Sequence, residues 1–402
     1  MKVLVINCGS SSFKYQLLDM PAGNALCSGL VERIGDAMGS LTHKVIAADG
    51  KETKYPFEQP FPDHTAGMHA VVKLLTDPEK GVIKDLSEIT AVGHRVVQGG
   101  ERFQKACIMG EEEKKAVRDL SSLAPLHNPA NLQGIEVAQK LFPNAPSVGV
   151  FDTEFHATMP EMSFIYAIPY EYYEKQGVRR YGFHGTSHQY VTETAAEFLG
   201  KKLDEFNCIT CHLGNGCSMA AVKNGKSFDT SMGMTPLAGL VMGTRCGDID
   251  PALHAFLAQN TGMGINDIDN MLNKQSGLKG LCGVNDMRDI HAAREKGDKK
   301  AQLAFDVFCH RIRSYLGAYY AVLGRVDAVI FTAGIGENDD LMRAEVCKDM
   351  THMGIAIDLK ANGVRSGDVR NISAPEGRIP VLVVPTNEEL AIARATLKVL
   401  KK

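Results

Sequence analysis

Short apolar runs rich in β-branched residues recur along this chain of 402 residues, and three of them end in Gly-rich polar segments. KVLVI leads into NCGSSSFK at residues 7–14, the run around Ile209 leads into HLGNGCS at 212–218, and DAVIF leads into FTAGIGEN at 331–338. Each reads as a buried strand ending in a tight turn whose backbone N–H groups face an anion. After the first turn the pattern alternates again through residues 13–18. Residues 3–7 and 13–18 therefore predict a β-hairpin bent at residues 9–12. A Walker A loop would instead open a helix after Gly-Lys-Ser/Thr. Three anion-facing turns so far apart in sequence imply a nucleotide held between two halves of the chain.

The remaining pattern alternates helix and strand. Helical periodicity covers residues 65–75, 111–120, 187–199 and 301–323, and strand-like runs cover 91–97, 146–151, 327–331 and 380–384. A last helix runs to the C-terminus from Thr386, with Glu389 three residues on in capping-box spacing. A strand-rich start followed by βα units occurs twice, with NCGSSS and HLGNGC in equivalent places. The expected fold is α/β: two related domains, each with a mixed sheet flanked by helices, and a nucleotide cleft between them. Residues 1–150 plus 385–402 form one, and 151–384 form the other, which carries the adenosine-binding turns. Strand, phosphate turn, strand is the way the actin, hexokinase and heat-shock chaperone superfamily holds phosphates.

Composition narrows the function classes. A chain of this length builds two full cores, and a formal net charge of −3 without a long basic run speaks against a nucleic-acid surface. The N-terminal apolar run is too short for a signal peptide, and no stretch approaches the roughly 20 apolar residues of a membrane span. A cytoplasmic protein with no membrane partner is expected. The ten cysteines follow no regular frame, which fits reduced thiols. Cys208-Ile-Thr-Cys211-His212 matches a haem-attachment pattern, but a strand puts Cys208 and Cys211 on opposite faces, so no haem is expected. His212 instead begins the second turn.

Arginines and histidines sit in Gly-rich, non-periodic settings: GHRVVQGG around Arg95, YGFHGTSH around His184 and GTRCGDIDP around Arg245. A guanidinium placed among glycines meets something planar and anionic, which it grips with two N–H groups; a buried ion pair is the plainer alternative. No general acid–base pair and no nucleophile–histidine spacing stands out. None is required for phosphoryl transfer to an acceptor that is already ionised.

The segments NCGSSSFK, GHRVVQGG, FDTEFHATMP, YGFHGTSH, HLGNGCS, DTSMGMTPLAGLVMGTRCGDIDP, VNDMRD, FTAGIGEN and PTNEEL occur in this order from Asn7 to Glu388. Together they resemble the successive signatures of the acetate kinase family over essentially the whole chain. The resemblance implies two actin-like (ribonuclease H-like) domains, often in a homodimer. It implies reversible, direct in-line transfer of the γ-phosphoryl group of ATP to acetate, giving acetyl phosphate and ADP, with Mg²⁺ or, in its place, Mn²⁺. Carried over by motif, Arg95 holds the acetate carboxylate and Asp152 is the catalytic carboxylate. His184 and Arg245 stabilise the transferring group, and Asn7 and Glu388 serve the metal. The acetate methyl group meets Val97, Leu126, Phe183 and Pro236, and His127 is a further active-site histidine. ATP contacts fall to Ser12, Lys14, the turn of His212, Leu213, Gly214, Asn215 and Gly216, the segment Asp286, Met287 and Arg288, and Gly334, Ile335, Gly336, Glu337 and Asn338.

A phosphoryl transition state spreads negative charge over its oxygens, so positioned cations and donors supply most of the catalysis. Acetate is already a nucleophile, which favours Asp152 as an organiser of metal or water over a proton acceptor. Propionate and other short-chain acids are the alternative substrates, because one methylene in an apolar pocket is worth only about 1–3 kcal/mol. A non-catalytic actin-like ATP switch needs the three turns but not the pair Arg95 and Arg245, and a sugar kinase needs a base for a hydroxyl. Two residues depart from the family pattern: Gln98, in place of a histidine, and Cys246, in place of a serine. A thiol next to Arg245 is expected either to have a lowered pKa and react with alkylating reagents or to be a buried, inert thiol.

Overall fold

A computed structural model describes residues 1–125 and 127–401 of the chain. They divide into two compact units, Met1–Glu154 with Asn387–Lys402, and Phe155–Thr386.

The first unit is built on eight strands: β1 (Lys2–Cys8), β2 (Ser12–Asp19), β3 (Asn24–Glu32), β4 (Gly39–Ile46), β5 (Glu52–Gln59), β6 (Ile89–Val96), β7 (Cys107–Ile108) and β8 (Ser147–Phe151). Their order in the sheet is β5-β4-β3-β2-β1-β6-β8-β7. The predicted hairpin is present, with Asn7 opposite Lys14 and Cys8 opposite Phe13. β1, β6 and β8 run parallel. The central strand β1 is apolar at successive positions because both of its faces are covered. Leu4, Ile6 and Cys8 pack in a core with Met68 and Val71 of the helix His64–Leu75 and with Val137 of the helix Asn128–Leu141. Val3 and Val5 face Ile392, Ala393 and Leu397 of the C-terminal helix Glu388–Leu400. Each such aliphatic side chain contributes about 1.5–3 kcal/mol on full burial.

The second unit repeats the plan with six strands: β9 (Cys208–Leu213), β10 (Cys217–Lys223), β11 (Lys226–Thr230), β12 (Ala328–Thr332), β13 (Arg370–Asn371) and β14 (Val381–Val383). Their order is β11-β10-β9-β12-β14-β13, with β9, β12 and β14 parallel. The succession β3-β2-β1-β6-β8-β7 in the first unit matches it strand for strand and sense for sense. One face is covered by the helix Gly185–Phe198, whose Val191, Ala195 and Ala196 pack on Cys208, Ala220, Ile330 and Leu382. Cys211 falls on the opposite face of β9 from Cys208, as an odd spacing on a strand requires. The helix Lys299–Leu323 is capped by Asp298, which accepts from the Lys300 and Ala301 N–H groups, and it buries the stripe Ala304, Phe308, Ile312 and Leu316. No helix among the described residues is long and apolar enough to cross a membrane.

One expectation needs correction, and the turn after β12 takes a particular form. β12 passes through Ala333, at a left-handed φ of 65°, directly into the short helix Ala333–Asn338. The C-terminal helix is capped by Asn387, not Thr386: the Asn387 side chain accepts from the Leu390 N–H at 2.9 Å. Thr386 belongs to the second unit, where its N–H donates to Glu337 Oε1 and its hydroxyl lies 2.8 Å from Ser187 Oγ.

Candidate functional site

In the first unit, sheet register brings the chemistry together. Ile6 pairs with His94, and Asp152 N–H donates to Val96 O, so Asn7, Arg95 and Asp152 leave the C-terminal ends of adjacent parallel strands. In open α/β sheets that edge is where ligands bind. Arg95 meets Asp152 edge to edge, Nε to Oδ1 at 2.8 Å and NH2 to Oδ2 at 2.6 Å, while NH1 stands 3.5 Å from Asn7 Oδ1. The planar anion that Arg95 grips is therefore Asp152, whose side chain is only 2% exposed. Glu388 begins the C-terminal helix. Burial first, and then the nearby Asp152, push its carboxyl above the usual range, against the pull of Arg95 and Lys14. Lys14 is exposed and lies opposite Asn7 in the hairpin, and the Ser12 carbonyl closes the turn by accepting from Gly9 N–H.

Sequence reasoning missed the side chains that hold this edge. Asn131 accepts from the Val97 N–H at 3.0 Å and donates to Cys8 O at 2.7 Å, which joins the end of β1 to the Arg95 segment. Asn128 accepts from Gln98 N–H and donates back to Gln98 O. Both asparagines are buried on an otherwise largely apolar helix face, a mismatch that shows only once the burial is known. Val97 is itself buried. His127 sits at the N-cap position of the helix Asn128–Leu141, and Leu126 lies outside the described residues.

In the second unit the hairpin β9–β10 turns at Gly214–Gly216, where Gly214 N–H donates to Gly216 O. A Cβ on Gly216 would lie 2.9 Å from Arg245 NH2 and 3.3 Å from His184 Nε2, so this glycine is what lets both side chains approach the turn. Arg245 is braced by NH1, which donates to Pro236 O at 2.7 Å. His184 has a left-handed φ of 57°, rare for a side chain of its size. Its ring stacks on His212 at 4.2 Å. The Phe183 side chain is buried, and the Phe183 carbonyl lies 3.0 Å from His156 Nε2. Asn215 Oδ1 accepts from Asn285 at 3.2 Å.

Other expected contacts are occupied differently. Glu337 is turned inward, with Oε1 accepting from the N–H groups of Ala333 and Thr386, so it braces the strand-to-helix elbow. Gly334 and Asn338 are exposed on that elbow, Ile335 is half-buried and Gly336 is buried. Asp286 caps the helix Met287–Glu295 and pairs with Arg288, which holds its carboxyl low, at about 2. The Met287 side chain is buried. Cys246 does not carry a lowered pKa: burial first, and Asp248 next, push the thiol up, and it donates to Gly247 O. Arg245 acts instead on Cys217, which burial nevertheless pushes up to about 12.

Two mixed sheets of matching topology, one with an arginine–carboxylate pair at its edge and the other with a histidine and an arginine over a glycine turn, have the fold of the actin-like class of phosphotransferases. The sequence profile of the acetokinase family matches residues 2–394, and the chain belongs to that family. An acetate kinase of Oleidesulfovibrio alaskensis is 63% identical over 401 residues, covering 100% of each chain. The crystal structure of Porphyromonas gingivalis acetate kinase superposes with a TM-score of 0.94 at 47% identity, over 99% of each chain. A propionate kinase from Francisella tularensis superposes with a TM-score of 0.91 at 41% identity, again over 99% of each.

Proposed function

We propose that this chain catalyses reversible transfer of the ATP γ-phosphoryl group to the carboxylate of acetate. The observation that carries this reading is the Arg95–Asp152 pair. Both Asp152 oxygens accept from one guanidinium, which orients this carboxylate as a partner of Arg95 rather than as a base aimed at an acceptor hydroxyl. An acceptor that arrives ionised needs no such base, and NH1 of Arg95, with only a long contact to Asn7, is the edge left to meet a second carboxylate. That supports a carboxylic acid over a sugar as substrate.

Arg245 and His184 supply positive charge and a hydrogen-bond donor to the transferring group, and the turn at 212–216 and the elbow at 333–338 receive the nucleotide. Asn7 and Glu388 offer an amide oxygen and a carboxylate whose buried charge calls for a cation. This donor set fits a hard ion such as Mg²⁺ that completes its shell with water and phosphate oxygens. Asn7 and Glu388 would hold the ion, which would supply neutralisation of phosphate charge, and Asp152 would order its surroundings through Arg95.

The wide match to a propionate kinase favours propionate as a second substrate, weaker by roughly ten-fold or more for one added methylene. Hydroxylamine trapping with ATP, Mg²⁺ and a panel of acetate, propionate, butyrate and glycerol tests the reading. Hydroxamate should form fastest with acetate. Consumption of ATP with glycerol and none with acetate would overturn it.

A further inference from the structure

His184 is tied into a hydrogen-bonded chain that the phosphoryl-transfer chemistry does not itself require. Its Nδ1 lies 2.9 Å from Ser218 Oγ, Ser218 Oγ lies 2.7 Å from His188 Nε2, and His188 Nδ1 lies 2.7 Å from Thr210 Oγ1. Ser218, His188 and Thr210 are all fully buried. The members come from three elements: Thr210 from β9, Ser218 from β10 and His188 from the helix Gly185–Phe198. Thr192 anchors that helix turn by donating to His188 O at 2.7 Å.

Proton counting gives this chain a direction. Burial, with His156 and His212 close by, holds the His188 pKa well below its ordinary value, so its ring carries one proton and one lone pair. Among the described residues, Thr210 Oγ1 has His188 Nδ1 as its hydrogen-bond partner, and Ser218 Oγ has the two histidines. Were His188 to donate from Nδ1, the Thr210 hydroxyl hydrogen would be left unpaired in a dry interior, at a cost of about 1–3 kcal/mol. The satisfied arrangement is Thr210 O–H to His188 Nδ1, His188 Nε2–H to Ser218 Oγ, and Ser218 O–H to His184 Nδ1.

We propose that Thr210, His188 and Ser218 are positioning residues that hold His184 as a neutral imidazole with its proton on Nε2. This rests on the reading above, in which His184 faces the transferring group. The Nε2 edge is the one beside Gly216 and Arg245 NH2, so the chain makes His184 a fixed hydrogen-bond donor toward the turn rather than a second cation. The groups facing the ring act in the same sense. His212 on β9 stacks on it, Arg245 brings a positive charge to the same turn, and His156 meets His188 edge-on at 5.6 Å. A proton on His184 Nδ1 would force Ser218 and His188 to reverse together. The left-handed backbone at His184 then has a physical purpose: it aims Nδ1 at Ser218 while Nε2 stays at the turn.

The test is two-bond ¹H–¹⁵N spectroscopy on histidine-labelled enzyme at pH 7, with the His184 signals assigned by their loss in His184→Gln. The expected pattern is a pyridine-like Nδ1 and a pyrrole-like Nε2. In Ser218→Ala the ring should sample both tautomers and protonate at higher pH. Its kcat should fall roughly ten-fold and gain an acid limb, with the ATP KM little changed. Thr210→Val should shift the His188 signals and move His184 in the same direction, and it serves if Ser218→Ala does not fold. A pyrrole-like Nδ1 on wild-type His184, or unchanged His184 spectra and pH profiles in both variants, would overturn the proposal. If the tautomer is as stated but His184→Gln keeps full kcat, the positioning chain stands and the phosphoryl role of His184 falls.

Discussion

Arg95 and Asp152 stand or fall as a pair, because both oxygens of a nearly inaccessible carboxylate rest on one guanidinium. Arg95→Ala is expected to raise the acetate KM strongly and leave the ATP KM nearly unchanged, since its NH1 edge is the one offered to the acceptor carboxylate. It should also destabilise the protein by about 3–5 kcal/mol, the cost of leaving a buried charge unpaired. Urea unfolding checks that cost, and the double variant Arg95→Ala/Asp152→Ala should recover much of the stability and none of the activity. A single variant as stable as the wild type would show that the pair is not buried as described. Arg245 uses its planar fork differently, with NH1 on Pro236 O and NH2 at the Gly216 turn. Arg245→Lys keeps the charge but cannot reach both points, so kcat should drop roughly 100-fold. Near wild-type kcat in the lysine variant would reduce Arg245 to a diffuse positive field.

The hairpin β9–β10 and the C-terminal helix make claims of their own. Gly216→Ala puts a methyl group against the side-chain ends of Arg245 and His184, not against backbone. It should therefore lower kcat while changing unfolding free energy by less than about 1 kcal/mol. A large loss of stability would mean that the glycine serves the fold instead. At the C-terminal helix, Asn387→Ala should cost about 1 kcal/mol and Thr386→Ala less, which separates the observed cap from the one expected by spacing. Periodicity was enough to find the first hairpin, the helices at 65–75, 111–120, 187–199 and 301–323 and the twofold plan, but it missed the helix Asn128–Leu141. It failed where one residue decides the path. Ala333 takes a left-handed conformation that glycine-based turn rules assign to Gly334 or Gly336, and Asn387 displaces Thr386 by one position. The meeting of Asn7, Arg95 and Asp152 depends on strand order and register, which no local pattern encodes. Asn131, His188 and Thr210 were invisible as site residues for a related reason. Their polarity counts only once they are known to be buried.

At the scale of the whole molecule, several buried histidines make stability depend on acid. His94 is buried beside Ser147, and desolvation lowers its pKa to about 3; His188 and His43 are lowered by burial as well. Below the ordinary value near 6.5 the unfolded chain binds these protons and the folded one does not, so stability is lost as pH falls from there. Glu154, Asp229 and Glu388, whose carboxyls burial raises, act in the opposite sense. A comparison with one variant isolates a single group. Between pH 6 and 5 the wild type should lose about 1 kcal/mol more than His94→Asn, read from urea midpoints, and equal losses would show that His94 titrates normally. The central claim, phosphoryl exchange between a nucleotide and an acyl phosphate, is tested most directly in reverse: the initial rate of ATP formation from acetyl phosphate and ADP with Mg²⁺. The account predicts rapid ATP formation, slower with propionyl phosphate and nearly abolished by Arg245→Lys. No ATP from acetyl phosphate with folded wild-type protein would contradict it.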